Sequence, residues 1–148
     1  MATVRRSRRL AAPPDDVWRT VGDLHQLARW WPKVLRVEGV QDGHFTEVLQ
    51  TDRGRDVRAD WVLVETDPGT SWRAAQEVAG TPFENVLAAS EKAVELEPAD
   101  DGGTLVTIEL RRRLRGLSRL GGVFLRRANG LQVDAALDTL EGTHGAGT

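Results

Sequence analysis

Turn punctuation constrains this chain more than any other feature. From Lys33 to about Arg115, glycine, proline and aspartate cut the sequence into strand-length pieces joined by connections too short for anything but hairpins. Residues 34–40 and 45–51 flank Gln41-Asp42-Gly43-His44, a glycine-centred turn. The Asp52-Arg53-Gly54 corner leads into 55–65, which stops at Thr66-Asp67-Pro68-Gly69 with proline in its favoured turn position. Residues 71–78 come next, followed by a loop through Gly80-Thr81-Pro82-Phe83. Residues 86–97 and Thr104–Leu114 then flank a Pro98-to-Gly103 connection. In the last strand Val106, Ile108, Leu110, Arg112 and Leu114 share one face, the alternation of a half-buried antiparallel strand.

The flanks differ. Residues 3–10 have strand length and must end at Ala11-Ala12-Pro13-Pro14. Pro14 suits a first helical position, Asp15 and Asp16 suit a first turn, and Val17, Trp18 and Val21 give that helix an apolar side. After Gly22, Asp23 with Gln26 three residues on has the pattern of a capping box and predicts a second short helix carrying Leu24, Leu27 and Ala28, which must stop before Pro32. At the other end, a helix is predicted from about 120 or 123 to 141. Leu120, Phe124, Ala128, Leu131 and Ala135 form one stripe, and Val133, Leu137 and Leu140 lie on another azimuth. Asn129-Gly130 sits where the stripe shifts and predicts a bend or a close approach. The glycine-rich residues 142–148 are expected to fray as a flexible tail.

Several chemistries drop out on composition. There is no cysteine and no tyrosine among the 148 residues, so disulfides, thiolate nucleophiles and phenolic acids are excluded. His25, His44 and His144 fall on a helix, a turn and the tail, so no metal site is expected, and no cofactor-binding glycine loop occurs. Ser90 and Ser118 lack a nucleophile-elbow context and read as ordinary hydroxyls. No apolar run approaches the ~20 residues of a membrane span, and a soluble cytoplasmic single domain is expected. With 20 Lys plus Arg against 22 Asp plus Glu, the net charge is −2. The clusters Arg5, Arg6, Arg8, Arg9 and Arg111-Arg112-Arg113-Leu114-Arg115 therefore read first as strand faces answered by nearby carboxylates, with no specific nucleic-acid partner.

One strand, two short helices, six strands in hairpin succession and a long helix make an α+β chain. Its twisted meander should curl, and the last helix is the only element long enough to cover the concave face. Ala12-Pro13-Pro14-Asp15-Asp16-Val17-Trp18 through Asp23 and Trp30-Trp31-Pro32, with Arg115-Gly116-Leu117-Ser118-Arg119-Leu120-Gly121-Gly122 leading into the helix that ends Ala135-Ala136-Leu137-Asp138-Thr139-Leu140-Glu141, resemble bacterial members of the START-like (SRPBCC, polyketide cyclase/dehydrase-type) helix-grip superfamily. The resemblance spans about residues 2–141. It implies a helix-grip fold: a curved seven-stranded antiparallel sheet around a long C-terminal helix, with an internal pocket for lipid-, sterol- or polyketide-like molecules. Residues 1–141 are thus expected to form one ligand-binding domain, and no catalytic residue carries over.

Side-chain parity then picks out candidates. Period two places Lys92 and Ser90 on the face of Val94 and Leu96, Arg112 on that of Leu110, and Gln76 on that of Trp72 and Ala74. A charge facing an apolar cavity must snorkel to the rim or meet an acidic partner or an anionic ligand, so Arg112 is expected to bind a ligand oxygen, with Lys92 assisting, and Gln76 to help orient it. Trp61, Trp72, Phe83, Phe124 and Leu131 are candidate walls, and Trp30 and Trp31 a candidate lip. The expected function is binding of an apolar or amphipathic small molecule. The alternatives are a cofactor-independent polyketide cyclase or dehydratase, and an RNA- or membrane-surface protein working through its arginine clusters.

Overall fold

A computed structural model describes residues 2–51, 53–116 and 119–148, with backbone alone at 119 and 120. The Asp52 corner, the Ser118 hydroxyl and the Leu120 stripe position lie outside what is described. The elements run β1 (Ala2–Leu10), α1 (Pro14–Val21), a 3₁₀ turn (Leu24–Gln26), α2 (Leu27–Trp30), β2 (Val34–Gln41), β3 (His44–Gln50), β4 (Asp56–Asp67), β5 (Ser71–Gln76), a 3₁₀ turn (Pro82–Asn85), β6 (Leu87–Pro98), β7 (Thr104–Leu114) and α3 (Arg119–His144).

Local chemistry accounts for most boundaries. Pro14 opens α1, and Gly22 closes it with its N–H on the Trp18 carbonyl. A side chain at Gly22 would run into the Trp18 indole, so this glycine also lets that ring fold back over the corner. Asp23 caps the 3₁₀ turn by accepting from the His25 N–H, and Gln26 Nε2 donates to the same carboxylate. The expected second helix is therefore split into a 3₁₀ turn and a single α-turn that stops ahead of Pro32. Asp42 and Gly43 both adopt positive φ, 52° and 79°, as a tight two-residue hairpin requires.

All seven strands join one sheet in the order β1-β7-β6-β5-β4-β3-β2, every neighbouring pair antiparallel. The hairpins supply the meander β2 to β7, and β1 returns to lie against β7 with Ala2 opposite Arg112. The curved sheet wraps around α3. Helix α3 lies mainly against β1, pinned there by Arg6 to Asp134 and Arg8 to Asp138. At Gly130 an added Cβ would sit 2.8 Å from the Arg6 guanidinium, so the glycine marks a close approach of strand to helix.

Of the two azimuths read from the sequence, helix α3 buries the second, through Val133, Leu137 and Leu140, and leaves the first exposed. Asn129, Val133, Ala136, Leu137 and Leu140 are buried, whereas Phe124 and Leu131 are 63% and 66% exposed. The buried stripe is rotated by one residue, about 100°, because the missing side chain at Gly130 and the buried Asn129 bring that azimuth against β1. The C-terminal residues fold back against the end of β1. His144 is the last residue of α3, Gly145 turns back at φ 83°, and the Ala11 N–H donates to the Gly145 carbonyl, the Ala12 N–H to that of His144 and the Gly147 N–H to that of Arg9. Thr148 Oγ1 donates to Asp101.

His144 ties α3 to α1 through Nε2 and Thr20 Oγ1 at 2.9 Å. Burial holds its imidazole below the usual 6.5, with Asp16 opposing. The folded protein therefore takes up this proton less readily than the unfolded chain. Its contribution to stability is complete above 6.5 and declines as pH falls through that value toward the lowered folded pKa. His144→Gln should flatten the fall in Tm between about pH 7.5 and about pH 5. Parallel Tm curves for the two proteins would assign the slope to other groups.

Candidate functional site

The concave face is filled at one end and hollow at the other. Toward α1 it is packed by Trp72, Val94, Leu96, Val106 and Ile108 with Val17, Val21 and the Val133–Leu140 end of α3. Trp72 Nε1 donates to the Val21 carbonyl at 2.7 Å, satisfying an acceptor that the end of α1 leaves open. The opposite end keeps a cavity of about 470 Å³ beneath Leu125 and Gln132 of α3. Trp31, Pro32 and Lys33 border it on one side, and Phe83, Val86 and Leu87 on another.

A single cross-strand row crosses the sheet at this hollow. Phe45 pairs with Trp61, Trp61 with Gln76, Ser90 with Arg112, and Arg112 with Ala2. One step on from the Ala75–Glu91 pair, Gln76 falls opposite Ser90. Side chains in such a row point the same way, about 4.8 Å apart. Trp61 Nε1, Gln76 Nε2, Ser90 Oγ and Arg112 Nε are all buried without a hydrogen-bond partner, and all four belong to this row. Trp61, Gln76 and Arg112 line the cavity. Buried polar atoms are ordinarily paired, so a run of such orphans on one face of one hollow calls for an occupant.

Beside the row lies a buried ion pair. Lys92 and Glu47 are 1% and 2% exposed, and Lys92 Nζ donates to Glu47 Oε2. Their strands, β6 and β3, have two others between them, so the pair can close only across a strongly curled face. On the way Nζ passes over the rings of Trp61 and Trp31, 4.4 and 4.5 Å from their centroids, a favourable seat for a cation. Trp61 in turn stacks on Phe45 with centroids 6.3 Å apart. Burial pulls the Lys92 ammonium below its usual pKa, and the adjacent Arg112 adds to that, while Glu47 opposes both. Burial likewise lowers Arg112, against Glu47. Arg112 Nη1 donates to Asn129 Oδ1 at 3.4 Å. Among the described residues no carboxylate lies within ion-pair distance of Arg112.

The structure thus gathers Trp61, Gln76, Phe83, Lys92 and Arg112 around one cavity. Lys92 meets an acidic partner and does not snorkel. Trp72 is buried under α1, away from the cavity, because it lies four residues down β5 from Gln76. Phe124 and Leu131 point away from the cavity for the rotational reason given above, and their neighbours Leu125 and Gln132 take that side. Trp31 borders the cavity, while Trp30 is buried in the core. Glu47 and Asn129 went unremarked in the sequence as site residues. The same parity that selects Lys92 would have found Glu47, which alternates with Phe45 and Leu49. Asn129 lies four residues before Val133, on the second azimuth of α3, and that spacing is the signal that would have found it.

The first arginine cluster is largely answered by carboxylates, and among the described residues Arg111 alone is answered in the second. Arg5 pairs with Glu95 and Glu109, Arg8 with Asp138 and Glu141, and Arg111 with Glu91 and Glu109.

Comparison with known proteins points to one family. The family described as polyketide cyclase / dehydrase and lipid transport matches residues 1–144. No curated protein matches. Among solved structures, a protein from Thermobifida fusca is 27% identical with a TM-score of 0.74, over 98% of this chain and 94% of that one. A START superfamily protein from Mycobacterium smegmatis is 12% identical with a TM-score of 0.76, over 96% of each chain. The di-domain ARO/CYC BexL from the BE-7585A biosynthetic pathway is 21% identical with a TM-score of 0.77; 96% of this chain matches 46% of that one, so this chain spans about half its length. At such identities the last two establish the fold alone.

Proposed function

The chain belongs to the polyketide cyclase/dehydrase and lipid transport family of the START-like helix-grip superfamily, and from that premise we propose that its cavity binds an apolar or amphipathic small molecule whose oxygen acceptors face Trp61, Gln76 and Arg112. The observation that carries this reading is the row of buried, unpartnered polar atoms along a hollow otherwise walled by Trp31, Leu49, Val57, Phe83 and Leu87. Apolar walls supply affinity in proportion to the area removed from water, and a few placed donors supply orientation.

Filling the hollow tests it. Gln132→Trp, on the cavity side of α3, should weaken binding of an environment-sensitive apolar dye at least about tenfold while leaving Tm within a few degrees. Dye binding by the parent protein should hardly change between low and moderate salt, whereas binding through arginine clusters would collapse. Dye affinity untouched by Gln132→Trp would refute the cavity as the site. Arg112→Ala should weaken an acidic ligand far more than a neutral analogue of the same shape, and equal losses would remove Arg112 from recognition.

A second reading has its own support. Glu47 is a buried carboxylate that borders the cavity near Arg112. A carboxylate to take a proton and donors to hold the developing enolate are the parts that a cofactor-independent cyclase or dehydratase needs. BexL, described as an ARO/CYC, shares the fold. On this reading Glu47→Gln and Arg112→Met each lower kcat for an enolisable substrate far more than they weaken binding of an inert analogue.

A further inference from the structure

We propose that the cavity selects the ionised form of a weak oxygen acid, a phenol or an enol that is neutral in water at pH 7, and holds its oxygen anion against Arg112. This rests on the cavity-binding reading above. Ionisation breaks only the ligand's O–H bond, and the proton leaves to solvent water.

Charge balance gives the first reason. The site contains two cations, the buried Lys92 and the partly buried Arg112, and one buried carboxylate, Glu47. Glu47 is engaged by Lys92 and acts on Arg112 only at longer range, so among the described residues the Arg112 guanidinium has the neutral Asn129 amide oxygen as its hydrogen-bond acceptor. An uncompensated buried cation is costly, and an anion arriving beside it relieves that cost.

The balance of donors gives the second. An indole N–H and a guanidinium can only donate. Trp61 Nε1 and Arg112 Nε have nothing to donate to, and Gln76 Nε2 is a third unused donor in the same row. The fourth unpartnered atom of the row, Ser90 Oγ, can donate or accept, so a neutral hydroxyl adds a proton where three donors face one adaptable hydroxyl, whereas the oxygen anion supplies lone pairs and no proton.

The walls decide the kind of anion. A largely apolar hollow strips water from whatever enters, and an anion whose charge is spread over a ring or a dicarbonyl loses less hydration than a compact carboxylate. Trp31, Trp61 and Phe83 offer flat surfaces to such a conjugated body.

The test uses 1-naphthol, its methyl ether 1-methoxynaphthalene, and 1-naphthoic acid with the intact protein. Naphtholate absorbs at longer wavelength than naphthol and beyond the tryptophans, so bound probe can be titrated by absorbance. Its ionisation midpoint should fall by at least one pH unit on binding, which is a tenfold or greater preference for the anion. Arg112→Met should return the midpoint to that of free probe or above it, with methyl ether affinity changed less than about threefold. The parent shift needs no variant, so the proposal stays testable if Arg112→Met folds poorly. Naphthol bound with an unshifted or raised midpoint would overturn the proposal and leave the cavity reading intact. Naphthoate binding tenfold tighter than naphtholate would overturn the ligand class. If neither naphthol nor its ether binds, the cavity reading fails and the proposal with it.

Discussion

Glu47→Leu should destabilise the protein by about 3–5 kcal/mol, and Lys92→Met by somewhat less, while the double variant recovers most of the loss. Each single change strands a charge in a space that water does not reach, since both side chains are almost wholly buried. The asymmetry follows from Arg112. Removing Lys92 leaves Glu47 with a second cation nearby, whereas removing Glu47 leaves two like charges facing each other with no carboxylate between them. In the double variant both desolvation costs vanish, and methionine and leucine fill similar space. Urea unfolding of the four proteins closes the cycle. A double variant as unstable as the sum of the singles would mean that the two residues stabilise the fold separately.

Trp72→Ala should cost about 3–5 kcal/mol, the range for deleting a large buried aromatic, because its ring fills the sheet's concave face under α1. Trp72→Phe isolates the hydrogen bond. It keeps most of the ring's volume but orphans the Val21 carbonyl, for about 1–3 kcal/mol. Neither change touches the cavity, so dye affinity measured well below Tm should stay unchanged. Trp61→Phe should do the reverse, altering ligand affinity through loss of an unused donor and a ring that covers Lys92. Trp72→Phe weakening the dye as much as Trp61→Phe does would place Trp72 at the cavity after all.

The strands were legible because hairpin turns leave local marks. Asp42-Gly43 and Pro68-Gly69 announce themselves without reference to the rest of the chain, and Thr104–Leu114 has the predicted bounds. Alternation along β5, β6 and β7 also placed Gln76, Lys92 and Arg112 on the concave face. What failed was rotational and long-range. The most apolar stripe of α3, through Phe124 and Leu131, is not its buried face. That azimuth is set by Gly130 against Arg6 on a strand more than a hundred residues earlier. Trp72 and Trp61 share the concave face, yet only the position of α1 decides which of them is packed over and which borders the hollow. The partner of Lys92 lies 45 positions away on β3, a separation that no local pattern encodes.

The return of β1 to β7 has a consequence for how the molecule comes into being. Ala2 finds its neighbour only when Arg112 has been made, so contact order is high and closure of that outer pairing is slow compared with the zipping of each hairpin. On the ribosome the meander can form while its hollow side still lacks the helix that spans it, since α3 follows all seven strands in the chain. Until then the nascent chain shows an apolar trough bearing an uncapped lysine–glutamate pair, a surface suited to transient capture by chaperones. The row that would later meet the ligand is completed only when the last of the seven strands delivers Arg112.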